Sequence, residues 1–295
     1  MFFLLTPANK GAASAPPPER AVDEDFDPAS WQTHRWGLSP ARWKLLRGKS
    51  FWITGAGTGY GRCMATALAS AGARVFLTGR REKTLLEAIE AMKPFSIAVD
   101  NCHAITADIT DILDVKAACE GIRKSCQSLD GLVNNAALPP SGVRFPIQDE
   151  TPEYWDAIMR TNVTGPRLLT AEIFPHMIAG GAARILFMTS EAGWAFTPGV
   201  GQYNVSKAAL NSLAASAAAE YSCRYPEADV QINALDPGEA KTEMNCNSKV
   251  SPWRIVGMSL ALLSHPPGGP NGRFFCRDGR RLRFAHAKEY EKPLK

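Results

Sequence analysis

The chain has 295 residues, 45% hydrophobic and 21% charged, the balance of a soluble globular protein with room for one large α/β domain. Its formal net charge is +4, and Arg273 to Lys295 alone holds eight Lys or Arg against three Asp or Glu, so the rest is near neutral and no nucleic-acid partner is expected. Seven cysteines without a C-x-x-C pair suit a reducing, cytoplasmic location, and five scattered histidines give no metal site.

The start, MFFLLTPANK, has an apolar run too short for a signal core, and Ile255 to Leu263 is too short for a span, so no membrane association is expected. Residues 1–46 hold GAASAPPPER and DEDFD, which offer no period for burying a face, and read as an extension. Its second half, WQTHRWGLSPARW, is expected on the body or on a neighbouring subunit.

Seven apolar runs then alternate with helical stretches: SFWIT, RVFLT, HAITA, GLVN, RILFM, VQINAL and GRFFC. This predicts a doubly wound Rossmann-type α/β fold, a seven-stranded mostly parallel sheet with helices on both faces. One domain is expected over 47–279, with a substrate loop at about 239–263. Residues 280–295 read as a basic tail, solvated or bridging subunits, with an anionic partner as the sharper alternative.

The first strand ends in Gly55, Gly57, Thr58, Gly59, Tyr60 and Gly61 before a helix. Glycines there bring a pyrophosphate close to bare backbone, and the helix N-terminus favours the anion. No Gly-Lys-Ser/Thr follows, which excludes a P-loop. Asp108 and Ile109 follow the third strand and Asn135 and Ala136 the fourth, at the cofactor edge, although Asp108 reads equally as a helix cap. The second strand ends in Gly79 without the carboxylate that would hold a ribose 2′-hydroxyl, and Arg80 and Arg81 follow. That pattern favours NADP(H) over NAD(H), with Arg80 the better phosphate ligand; the alternative is that both arginines merely solvate the next helix.

Tyr203 and Lys207 stand four apart in an Ala-rich helix, on one face, where an ammonium can lower a phenol toward working pH for general acid/base work. Ser190 lies thirteen residues before Tyr203, where its hydroxyl can hold a substrate oxygen, and Asn162 lies 28 before Ser190. In TGAGTGYG, NNAA, the Asn of TNVTG, Ser190, YNVSK and Asp236-Pro237-Gly238, the chain resembles the short-chain dehydrogenase/reductase family over about Gly48 to Gly279.

The resemblance implies Tyr203 as proton donor, Lys207 as the group that lowers its pKa and binds the nicotinamide ribose, Ser190 on the carbonyl, and Asn162 supporting a proton-relay water. It places Pro237 and Gly238 along the nicotinamide and Thr242 near its carboxamide, and implies a homodimer or homotetramer. Ala137, Glu191, Glu239 and the basic FFCRDGRRLRF ending depart from the family's pattern.

A small-molecule carbonyl or alcohol is the expected substrate, in a pocket of Leu138, Glu191, Trp194, Phe196 and Glu239. A catalytically silent dinucleotide sensor and a sugar-nucleotide epimerase or dehydratase are the alternatives. The first is expected to lose part of the tetrad, and the second needs a larger C-terminal domain. A hydrolase reading of Ser190 lacks the nucleophile elbow, since MTSEAG is not G-x-S-x-G.

Overall fold

The computed structural model describes residues 34–140, 147–195 and 198–282. Residues 1–33, Phe196 and 283–295, on which some of the expectations fall, lie outside the described residues.

One sheet organises the molecule, with strands β1 (Ser50–Thr54), β2 (Arg74–Gly79), β3 (Cys102–Thr106), β4 (Gly131–Asn134), β5 (Ala182–Met188), β6 (Asp229–Asp236), β7 (Arg273–Cys276) and β8 (Arg281–Leu282). Their spatial order is β3-β2-β1-β4-β5-β6-β7-β8, and every neighbouring pair is parallel except β7 with β8. The order reverses between β1 and β4, and a crevice opens beyond the carboxyl ends at such a switch point.

Seven strands were expected and eight form. Two residues are too few to show an alternation, so β8 has no signature of its own. It exists because Asp278-Gly279 turns the chain: Gly279 has φ +86°, and the Cys276 N–H donates to the Arg280 carbonyl at 2.8 Å.

Both faces of the sheet are covered, and period-2 alternation sorts its side chains. Phe51, Ile53, Val75 and Leu77 point into one core, with Met64 and Leu68 of α2 (Gly59–Ser70), Leu85 of α3 (Glu82–Glu90), and Val256 and Leu260 of α9 (Val256–Leu263). Trp52 and Phe76 point into the other, with Val115 and Ile122 of α4 (Ile112–Ser125), Ile173 of α6 (Gly165–Ile178) and Leu210 of α8 (Gly201–Arg224). Trp52 is wholly buried, and its indole N–H is satisfied by the Thr78 hydroxyl at 2.8 Å.

Residues 34–46, which include α1 (Pro40–Lys44), lie on the first core. Trp36 stacks on Trp43 and Trp253, with ring centres 5.7 and 6.1 Å away, and its carbonyl lies 2.9 Å from where a Cβ at Gly257 would stand. Among the described residues no helix is long and apolar enough to cross a membrane.

Candidate active site

The crevice at the switch point is a cleft of about 740 Å³. Thr58, in extended conformation, precedes α2 and makes no side-chain cap, so the first N–H groups of that helix face the cleft without a side-chain partner. Two glycines are sterically required. A Cβ at Gly55, whose φ is +63°, would lie 2.9 Å from Ala136 Cα, and one at Gly61 would lie 2.3 Å from the Gly55 carbonyl.

The following loop is pinned by Thr54. Its hydroxyl accepts the N–H groups of Asn135 and Ala136, both at 3.0 Å, while the Asn135 amide donates to the carbonyls of Thr54 and Gly55 at 2.9 and 3.1 Å. This is the local reason for an Asn at 135, just after β4: it carries the glycine loop.

At the other wall, Arg80 and Arg81 follow β2 and line the cleft with Asp108 and Ile109. Arg81 is paired with Glu243 at 2.7 Å across the mouth. Asp108 lines the cleft, and one carboxylate oxygen accepts the N–H and hydroxyl of Thr110 at 2.9 and 2.8 Å; it is not the helix cap, since Asp111 takes that place and accepts the Leu113 and Asp114 N–H groups. Thr242 also lines the cleft, 3.0 Å from where a Cβ at Gly59 would stand.

Tyr203 and Lys207 leave the first turns of α8 on one face and are 9% and 3% exposed. The Lys207 ammonium donates to the Met188 carbonyl at 2.9 Å and lies 5.4 Å from the centre of the Tyr203 ring. Burial lifts the Tyr203 phenol to about 12; a hydrogen bond with Ser190 opposes the shift and the charge of Asp236 adds to it. Burial also pulls Lys207 down to about 8, with Asp236 resisting. Desolvation therefore outweighs any lowering of the phenol by the lysine in this state.

Asn162 lies in a π-helical turn, Arg160–Thr164, between α5 (Pro152–Met159) and α6. Its carbonyl oxygen accepts the Leu138 N–H at 2.7 Å, and its amide donates to the Leu138 carbonyl and the Ser206 hydroxyl, both at 3.1 Å. The amide thus ties the loop after β4 to the helix of Tyr203. Leu138 lines the cleft and packs on the small cluster of Ile158, Ala192 and Tyr203, so it joins the two halves of the site.

Of the residues singled out by sequence, the cleft lining gathers Gly55, Gly57, Thr58, Gly59, Tyr60, Arg80, Arg81, Asp108, Ile109, Asn135, Ala136, Leu138 and Thr242. It does not gather Gly61, Asn162, Ser190, Tyr203, Lys207, Pro237, Gly238, Glu191, Trp194 or Glu239. Between these groups stands Tyr60, whose hydroxyl donates to the Gly238 carbonyl at 2.7 Å and whose phenol is raised, chiefly by burial. Glu191 and Glu239 are exposed, the latter accepting the Asn245 amide at 2.8 Å, and Trp194, in α7 (Ala192–Ala195), is 38% exposed.

Two contributors were not singled out as site residues: Thr54, the last residue of β1 and the first of TGAGTGYG, and Arg277, which donates to the carbonyls of Pro237 and Glu239 at 3.3 and 2.9 Å. The basic ending of β7 hinted at Arg277, but only the folded sheet brings it to Gly238.

A family model described as short chain dehydrogenase matches residues 49–252. The chain belongs to the short-chain dehydrogenase family. This short-chain dehydrogenase is an oxidoreductase acting on CH–OH groups. It is 31% identical over 219 residues to dehydrogenase/reductase SDR family member 4 of Bos taurus, covering 73% of this chain and 75% of the relative. It is 28% identical to gluconate 5-dehydrogenase of Gluconobacter oxydans, over 79% of this chain and 94% of that one. Among solved structures, a short-chain dehydrogenase from Escherichia coli CFT073 complexed with NADPH has a TM-score of 0.72 at 25% identity, covering 80% of this chain and 98% of that chain. A 3-ketoacyl-(acyl-carrier-protein) reductase from Brucella melitensis complexed with NADH has a TM-score of 0.70 at 26% identity, covering 78% and 97%.

Proposed function

We propose that this short-chain dehydrogenase interconverts a carbonyl and an alcohol with NADP(H), using Tyr203 as the general acid and base. The observation that carries the reading is the buried pair Tyr203 and Lys207 with the half-buried Ser190, joined through Leu138 to a cleft that has uncapped helix N–H groups and Arg80 in its walls.

The cleft residues fit a dinucleotide: backbone N–H groups for the pyrophosphate, Gly55 and Gly61 with no room for a side chain, and a guanidinium for a 2′-phosphate. When bound, the nicotinamide supplies or accepts the hydride. Ser190 holds the substrate oxygen beside the Tyr203 hydroxyl, which gives or takes the proton at that oxygen. Lys207 holds the nicotinamide ribose and carries positive charge beside the phenol. Asn162, with both amide hydrogens engaged, fixes the Leu138 loop against α8 and supports the proton relay from there. Pro237 and Gly238, steadied by Arg277, form the floor beneath the nicotinamide.

Glu191 follows Ser190 and Glu239 follows Pro237-Gly238, both exposed, and the substrate is read as carrying a polar part that meets them. The relatives' names include a gluconate dehydrogenase and a ketoacyl-carrier-protein reductase, which supports carbonyl–alcohol chemistry and leaves the substrate open. The catalytic unit of this reading is 47–279, and seven free cysteines agree with a cytoplasmic location.

The test is NADPH absorbance with a panel of ketones, acyl thioesters, polyols and steroids. Turnover is expected with a member of the panel, lowered at least about a hundredfold in Tyr203→Phe while NADPH affinity is kept. Lys207→Ala should weaken both. A Tyr203→Phe variant retaining more than about a tenth of the rate would overturn the assignment.

A further inference from the structure

Arg81 stands just before α3, and its carbonyl accepts the Thr84 and Leu85 N–H groups at 3.1 and 3.3 Å, which fixes its backbone at the wall of the cleft. Its guanidinium is held by Glu243 at 2.7 Å, and Glu243 lines the same cleft. This carboxylate comes from the segment after β6 and is placed by backbone. Thr242 and Asn245 close a tight turn around it, each donating its N–H to the other's carbonyl, at 3.3 and 3.1 Å. The Asn245 amide donates to Glu239 at 2.8 Å, and below the turn the Lys241 N–H donates to the Val250 carbonyl at 2.8 Å. The charged side chains lining the cleft are Arg80, Arg81, Asp108 and Glu243. Asp108 is turned onto Thr110, and Arg80 has no ion pair among the described residues. Glu243 therefore occupies one of the two cations of the wall.

Resting on the NADP(H) reading above, we propose that Glu243 is a specificity-determining residue for the cofactor: it holds Arg81 in the place of a ribose phosphate and so restrains the preference for NADP(H) over NAD(H). A phosphate monoester carries close to two negative charges near neutral pH and engages a guanidinium through two parallel hydrogen bonds. To reach Arg81 it has to displace the carboxylate that already accepts from that guanidinium. NAD(H) brings only a hydroxyl to this place, so the pair stays intact and the binding of NAD(H) is indifferent to Glu243. Both side chains are more than half exposed, so solvent screens the competition and its effect is several-fold rather than many orders of magnitude.

Cofactor affinity reads this without a substrate. Dissociation constants for NADPH and NADH are measured by nicotinamide fluorescence at low salt in the full chain, in Glu243→Gln, in Arg81→Met and in the double variant. Glu243→Gln should tighten NADPH about threefold to fivefold, by freeing Arg81, and leave NADH within about twofold. In the Arg81→Met background the same change should gain less than about twofold, because no guanidinium remains to be freed. An NADPH-to-NADH ratio that Glu243→Gln does not move overturns the proposal. A gain that persists undiminished without Arg81 also overturns it, since the carboxylate then acts by its charge alone. Circular dichroism should be unchanged in all four proteins, as both side chains lie at the surface; loss of fold in Glu243→Gln would assign the carboxylate to the fold and sink the idea. An unaltered protein that favours NADH would instead refute the NADP(H) reading itself, whatever Glu243→Gln does to the ratio.

Discussion

Arg80 and Arg81 are adjacent in sequence and differently occupied in space. Arg81 is tied to Glu243 at 2.7 Å, with both side chains more than half exposed, so the pair adds little stability but commits one guanidinium to closing the mouth of the cleft. Arg80 lines the cleft and is the guanidinium proposed to meet a phosphate with two parallel hydrogen bonds. Gly79 does not have a left-handed φ, and a Cβ there would meet Leu85 at an ordinary 3.4 Å, so an acidic side chain enters without strain. NADP should therefore be preferred by the unaltered protein. Gly79→Asp combined with Arg80→Ile should reverse the ratio of kcat/KM for the two cofactors by at least about tenfold, as a carboxylate accepts the 2′-hydroxyl and repels a phosphate. Preference of the unaltered protein for NAD would sink the assignment.

Strand pairing depends on a charge at the opposite end of the sheet. Arg184 of β5, 8% exposed, donates to the Asp229 carbonyl at 2.8 Å and the His265 carbonyl at 3.0 Å, and is ion-paired with the Asp229 carboxylate of β6. Burial pushes Asp229 up, but hydrogen bonds from Gln231, Gly268 and Arg184 hold it below its ordinary value. Removing the arginine strands a half-buried carboxylate, and Arg184→Ala should cost about 3 kcal/mol by denaturant unfolding. Since the folded pKa is the lower one, the contribution is full above the unfolded value, about 4, and is lost as pH falls through the folded value. The gap between the two proteins should narrow below about pH 4, and a gap independent of pH would show that packing rather than charge is responsible.

At the scale of the molecule, α8 buries Tyr203, Lys207, Leu210 and Ala214, while Ser212, Ala215, Ser216 and Ala219 form an exposed stripe of small residues on its outer face. We read this stripe as a two-fold subunit contact. Light scattering at micromolar concentration should give a dimer or tetramer, and Ala215→Arg should split it; a monomeric unaltered protein would refute the reading. The strands β1 to β7, the glycine loop and the Tyr203–Lys207 spacing were legible along the chain because each is a local rule: a short apolar run, a required bare backbone, one helical turn. Short-range patterns could not show β8, whose two residues depend on the Asp278-Gly279 turn. Nor could they show that Tyr60 reaches Gly238 or that Arg277 steadies the same loop. Sequence alone nominated the residues proposed to carry the chemistry. Tertiary structure decided how deeply they are buried, and so the direction in which desolvation shifts Tyr203 and Lys207, because that burial exists only once the helix has packed on the sheet.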